Sequence, residues 1–196
     1  MWKTLSLSVA AVALCASGAL AQDAMSIGMQ LEPPNLDPTG GAAAAIDEVV
    51  YANVFEGLTR YRSDGSIAPG LAESWDVSED GTLYTFHLRA GVRFHDGTAM
   101  DGEDVKFSLD RARADDSTNA QKALFAGIAE VRVVDPLTVE VQLNAPNGGF
   151  ITNMAWGDAV IVAPESIENA ATNPIGTGPF MFSRWVQGDR IDIQIN

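Results

Sequence analysis

Cysteine, histidine and positive charge are what this sequence has least of, and each shortage removes a class of function. A single cysteine, Cys15, in 196 residues cannot build a disulfide scaffold. Two histidines, His87 and His95, sit in a strand and a turn with no helix to bring them together, so they make a poor metal site. They also leave a serine or cysteine nucleophile short of a base, and no Gly-x-Ser-x-Gly elbow accompanies them. Twelve Lys and Arg against 26 Asp and Glu give a formal charge of −14, which repels phosphate backbones and anionic lipid and argues against nucleic acid as a partner. No apolar run approaches the about 20 residues that a spanning helix needs, so the chain is not expected to be membrane-embedded.

What is present suits a globular, exported protein. Apolar residues make up 46% and aromatics 8%, enough to build a core. Lys3, the apolar stretch over residues 5–16 and Ala19-Leu20-Ala21 have the layout of a signal peptide cleaved after Ala21, which implies export. Cys15 follows Leu14 inside the apolar run rather than a small residue at the cleavage point, so it reads as a small apolar side chain and not as a lipid anchor.

Strands and helices then mix. Ile27, Met29 and Leu31 alternate and predict a first strand over 25–31, ended by a loop carrying Pro33, Pro34 and Pro38. Ile46, Val49, Val50 and Val54 predict a helix over 42–55 with Gly57 as its stop. Residues 61–66 and Asp80-Gly81 read as turns, and Tyr84, Phe86 and Leu88 as the buried face of a strand. Asp101 and Asp104 cap a helix of about three turns whose inner face is Val105, Leu109 and Ala112. A further helix is expected over 118–128, a strand pair over 131–134 and 137–143 around Asp135-Pro136, and a last strand over 190–196. The order is that of an α/β or α+β domain.

Little of this carries chemistry. Acidic neighbours such as Asp47-Glu48, Glu79-Asp80, Glu103-Asp104 and Asp115-Asp116 look like caps, turns or solvated faces, and no pair stands out as the acid and base of a hydrolase. Gly176-Thr177-Gly178-Pro179-Phe180-Met181 opens like a dinucleotide fingerprint, but Pro179 lacks a donor and Met181 stands where the third glycine belongs. A tight turn is the simpler reading. The chain is expected to be no enzyme and to need no cofactor or metal.

Several blocks taken together resemble one family. Gly70-Leu71-Ala72-Glu73-Ser74-Trp75, Ser78-Glu79-Asp80-Gly81, Tyr84-Thr85-Phe86-His87-Leu88-Arg89, Gly91-Val92-Arg93-Phe94-His95-Asp96-Gly97 and Glu103-Asp104-Val105-Lys106-Phe107-Ser108-Leu109 follow in order and spacing, supported by Asn35-Leu36-Asp37-Pro38, Phe55-Glu56-Gly57-Leu58 and residues 174–180. They are similar to the periplasmic solute-binding proteins of ABC transporters, extracellular family 5, which includes dipeptide-, oligopeptide- and nickel-binding members. Leu83 and Asp101-Gly102 are mild departures from the family pattern, and the chain resembles only about the first third of such proteins.

The resemblance implies a partial periplasmic binding protein-like type II fold of class α/β: residues 22–58 begin lobe I, 59–160 form an extra subdomain peculiar to the group, and 161–196 return to an incomplete lobe I, with the second lobe absent. It implies a receptor that encloses a peptide or other small solute and delivers it to a membrane permease. Glu32 and Asn35 align with a segment lining the cleft, and Trp156 and Gly157 lie near the crossing back to lobe I. Glu32 either pairs with a cationic group of the solute or lies in water; Trp156 either stacks on a solute side chain or fills the core. Two other readings stand beside this one: a truncated receptor fragment that binds nothing by itself, and a secreted hydrolase.

Overall fold

The structure is a computed structural model that describes residues 24–196. The expected signal peptide, its cleavage after Ala21 and Cys15 lie outside the described residues. Residues 24–30 run without regular secondary structure, and Met25, Ile27 and Met29 are exposed. The strand expected over 25–31 does not form. Alternation supplies a face, but a strand also needs a hydrogen-bonded neighbour, and no ladder includes these residues among the described ones.

From Leu31 onward the proline-rich loop is as expected. It is organised by its own side chains: the Asp37 N–H donates to Asn35 Oδ1 at 2.9 Å, and the Thr39 N–H donates to Asp37 Oδ1 at 2.8 Å. Leu36 is fully buried, and its N–H donates to the Ala171 carbonyl at 2.9 Å.

Helix α1 spans Ala44–Val50, half the length that the apolar spacing predicts. Its C-cap Tyr51 leaves helical geometry at φ −70°, ψ 132°, and Ala52 follows at φ 58°. The residues that follow are bonded to a distant segment instead: Asn53 O accepts from the Phe180 N–H and Val54 O from the Gly178 N–H, both at 2.9 Å. Pairing with this distant segment holds residues 53–55 out of helical geometry.

A short hairpin, β1 (Thr59–Tyr61) with β2 (Ile67–Pro69), leads into a four-stranded antiparallel sheet. Its strands are β3 (Ala72–Val77), β4 (Leu83–Leu88), β5 (Ile128–Asp135) and β6 (Thr138–Leu143), in the order β3-β4-β6-β5. Period-2 burial is clean in the two inner strands: Tyr84, Phe86 and Leu88 on β4 and Val139, Val141 and Leu143 on β6 face the core. Helix α2 (Gly102–Arg113) covers that face with Val105, Leu109 and Ala112, and its N-terminus carries a complete capping box between Asp101 and Asp104. Phe150 closes the core against Tyr84, with ring centroids 4.8 Å apart, and the Tyr84 hydroxyl donates to Asn147 O.

The helix expected over 118–128 is reduced to one turn, α3 (Lys122–Phe125). Asn119 is the reason. Its Oδ1 accepts from the Gln121 N–H at 2.8 Å, and its Nδ2 donates to Asp158 O at 2.9 Å, so its amide holds a loop where a helix would begin. After the one-turn helix α4 (Phe150–Asn153), the chain ends in a hairpin of β7 (Phe180–Val186) and β8 (Arg190–Ile195). Strand β8 lies where alternation predicts it. Strand β7 is hidden in the sequence because a register shift between Phe182 and Arg184 breaks its period.

Two apolar cores result, and residues 160–162 pass between them. Ile161 points into the first, with the sheet and α2; Val160 and Val162 point into the second, with Leu36, Ile46, Val50, Val54 and Phe55. Ser108 on α2 fastens this crossing, its hydroxyl accepting from the Val162 N–H at 3.0 Å while it donates to Asp104 O at 2.7 Å.

The turn expected at Gly176-Thr177-Gly178 is a strap laid across residues 53–56. A Cβ on Gly176 would stand 2.0 Å from Val54 O, and one on Gly178 would stand 2.2 Å from Asn53 O, so both positions admit only glycine. His95 pins the strap: its N–H donates to Gly176 O, its Nδ1 accepts from the Gly176 N–H at 3.3 Å and its Nε2 meets Gly178 O at 2.9 Å. The tautomer protonated on Nε2 satisfies all three.

Candidate functional site

The loop that follows α4 places Trp156 and Gly157 against α1. Gly157 is buried, and Trp156 is 44% exposed, so the indole does not fill either core. Tyr51 ties the two segments together, its hydroxyl donating to Ala155 O at 2.5 Å. From α1, Asp47 lays its carboxylate over the Gly157 main chain: a Cβ at Gly157 would stand 2.6 to 2.7 Å from all three carboxyl atoms. A side chain at 157 would have to displace this carboxyl. Asp158 follows, 6% exposed, with its carbonyl held by Asn119.

This small wall is electrostatically strained. Burial, and then the charge of Asp47, push the Asp158 carboxyl up to about 6. Burial also raises Asp47. Tyr51 is raised by burial and by its neighbours Tyr61 and Asp47, with Arg60 opposing. Neither Asp47 nor Asp158 takes part in an ion pair among the described residues. Two carboxylates of this kind favour a shared proton, a hydrogen-bond donor or an incoming cation. Among the described residues no group of three or more His, Cys, Asp or Glu is placed to hold a metal ion.

The sequence candidates fall in two places. Trp156 and Gly157 are brought together with Asp47, Tyr51 and Asp158. Glu32 is placed on the β7–β8 turn, where its Oε1 accepts from Trp185 Nε1 and from the Gly188 N–H, each at 2.8 Å. Asn35 caps its own loop. Asp47, Tyr51, Asn119 and Asp158 escaped the sequence reading. One signal for Asp158 was available: it is the one charged residue in the stretch 151–163. Asp47 carried no such mark, because on a helix beside Glu48 it looks like any solvated carboxylate.

The profile of the bacterial extracellular solute-binding proteins, family 5, middle part, matches residues 66–196. The chain belongs to this family. The glutathione-binding protein GsiB of Pectobacterium atrosepticum is 35% identical to it over 164 residues, which are 82% of this chain and 32% of that protein. NikZ of Campylobacter jejuni, solved in complex with Ni(L-His), superposes with a TM-score of 0.75 at 30% identity, covering 85% of this chain and 34% of NikZ. The periplasmic binding protein DppA of Helicobacter pylori, solved with a bound peptide, gives a TM-score of 0.72 at 27% identity, over 83% of this chain and 37% of DppA. The chain therefore spans about a third of the length of the family 5 proteins it matches, and its fold is the corresponding part of a periplasmic binding protein.

Proposed function

We propose that the protein carrying this chain is the extracytoplasmic receptor of an ABC importer, that its solute is a peptide or a similar small molecule, and that it works with a membrane permease. The observation that carries this reading is the family match over residues 66–196. The relatives add a solute class: one is named for glutathione, one was solved with a nickel–histidine complex and one with a peptide. In this reading the chain is exported through its leader and cleaved after Ala21.

Residues 22–58 and 161–196 belong to one lobe and 59–160 to an inserted subdomain. The two cores support that division: Ile46, Val49, Val50, Val54 and Phe55 share one with Phe182, Trp185 and Ile191, while the sheet and α2 build the other. The solute-facing wall is the Trp156–Gly157 loop, with Trp156 offering an exposed aromatic face for stacking. Asn35 shapes the neighbouring loop. Glu32 acts through the oxygen that Trp185 and Gly188 leave free. Enclosure between lobes excludes water and strengthens each polar contact made there.

Calorimetric titration of the protein, as its reading frame encodes it, with glutathione, trialanine and the nickel–histidine complex tests the reading. Saturable binding of at least one supports a receptor. Silence across all of them overturns it.

A further inference from the structure

Asn147 and Gly148 form the one Asn-Gly step of this sequence. It lies in the exposed turn between β6 and α4. The main-chain N–H of Gly148 donates to no group among the described residues, and a Cβ there would meet nothing within 4 Å, so the nitrogen is unhindered. The Gly149 N–H donates to Asn147 Oδ1 at 3.0 Å, which draws electrons from the amide carbon Cγ and favours negative charge developing on that oxygen. Four Asp-Gly steps offer a contrast. In Asp64-Gly65, Asp80-Gly81, Asp96-Gly97 and Asp101-Gly102 the glycine N–H is taken by the carbonyl of Arg62, Ser78, Phe94 or Pro136, at 2.8 to 2.9 Å. Hydrogen bonds, first of all from the hydroxyls of Ser66, Ser78 and Thr98, also hold the carboxyls of Asp64, Asp80 and Asp96 below the usual range, ionised and poor targets for a nitrogen nucleophile.

We propose that Asn147 is a site of self-modification, where the Gly148 main-chain nitrogen closes on Asn147 Cγ and converts the asparagine to aspartyl and isoaspartyl forms, the latter loosening the core beneath the turn. The nitrogen gives its proton to solvent and bonds to Cγ. The Cγ–Nδ2 bond breaks, Nδ2 leaves as ammonia, and a five-membered succinimide remains. Water then opens the ring. Attack at Cγ restores an ordinary main chain with an aspartyl side chain, whereas attack at the main-chain carbonyl carbon leaves the chain running through Cβ and Cγ, one carbon longer. Ammonia is lost and water gained, nothing is oxidised or reduced, and the chain acquires one more negative charge. The longer chain falls at a packed point. Asn147 O accepts from the Tyr84 hydroxyl at 2.9 Å and from the Phe150 N–H at 3.1 Å, and the fully buried Phe150 ring packs on Tyr84 and Phe86. In the isoaspartyl form that oxygen belongs to a free carboxylate beside the main chain, so the tie between turn and core slackens. The chemistry needs only this turn and water, and it stands whether or not the receptor reading does.

The test is peptide mapping by mass spectrometry on the protein as encoded, aged in mildly alkaline buffer either folded or in concentrated urea, with electron-transfer fragmentation to tell isoaspartyl from aspartyl. Wild type is compared with Gly148→Ala, whose methyl group enters open space, and melting temperature confirms that the variant folds. In folded wild type the peptide holding Asn147 should exchange its amide for an acid before any other asparagine does, with isoaspartyl among the products, at a rate within about threefold of that in urea. Gly148→Ala should slow this about tenfold or more, an added barrier of about 1.4 kcal/mol. The Asp-Gly steps should isomerise in urea and be slowed about tenfold or more by folding, because their nitrogens are tied. An Asn147 that folding protects as strongly as the Asp-Gly steps, or that converts equally fast in Gly148→Ala, overturns the site. The isoaspartyl species, purified by ion exchange after ageing, should melt about 2–4 °C below Asn147→Asp, the shift expected for one lost hydrogen bond in a chain of this size. Equal melting temperatures overturn the coupling to the core.

Discussion

The Asp47 carboxylate rests against Gly157, 2.6 Å from the place where a Cβ would stand. This contact joins α1 to the loop bearing Trp156 and Asp158, and Gly157→Ala pushes the new methyl group into the carboxyl. The expected cost is about 1–3 kcal/mol of stability, the range for overpacking. In an Asp47→Ala background the same substitution should cost much less. A double-mutant cycle by urea denaturation measures the difference, and additive effects of the two substitutions would show that the contact is not the cause.

The Asp158 carboxyl, raised to about 6, makes the folded state sensitive to pH. It binds its proton more tightly folded than unfolded, where an aspartate titrates near about 3.9. Its contribution is therefore fully present below about pH 4, is lost as pH rises through about 6, and stays lost above that. The size is about 1–3 kcal/mol. Asp158→Asn should raise stability at pH 7 and flatten the profile between pH 4 and 6. Urea midpoints across that range check it, and a variant less stable than wild type at pH 7 would mean that the carboxylate is paired.

Gly178→Ala puts a methyl group 2.2 Å from a main-chain carbonyl, which cannot move aside as a side chain can. The expected loss is about 3 kcal/mol or more, or failure to fold. His95→Ala removes the clamp on the same strap without adding bulk and should cost less, about 1–2 kcal/mol. Melting temperatures of the two variants rank them, and the reverse order would contradict the strap's geometry.

Glu32 holds Trp185 and Gly188 through one exposed oxygen. Glu32→Ala should therefore alter stability by no more than about 1 kcal/mol. It should expose the Trp185 indole to quenching by acrylamide, whereas Glu32→Gln, which keeps an acceptor, should not. Quenching that is identical in both variants would argue against the bond.

Local physics made the sheet and α2 legible. Their periods are 2 and 3.6, their turns carry Asp-Gly or Asp-Pro, and α2 announces its cap with Asp101 and Asp104. The elements that departed from expectation are those decided by distant partners. The residues just past α1 are tied to 178–180 instead of continuing the helix, and α3 is short because Asn119 reaches Asp158. The candidate wall was half visible for the same reason. An aromatic-glycine step in an apolar stretch draws attention to Trp156 and Gly157, but only the folded chain reveals that Asp47, more than a hundred positions earlier, covers that glycine.

In the receptor reading the Trp156 loop faces the bound solute. Fluorine NMR of the protein labelled with fluorotryptophan tests it most directly, with the Trp156 resonance assigned from Trp156→Phe and Trp75, packed against the sheet core, as the internal reference. On saturation with whichever of glutathione, trialanine or nickel–histidine binds in calorimetry, the Trp156 resonance should shift while that of Trp75 stays in place. A saturating solute that leaves the Trp156 resonance unmoved would contradict the account.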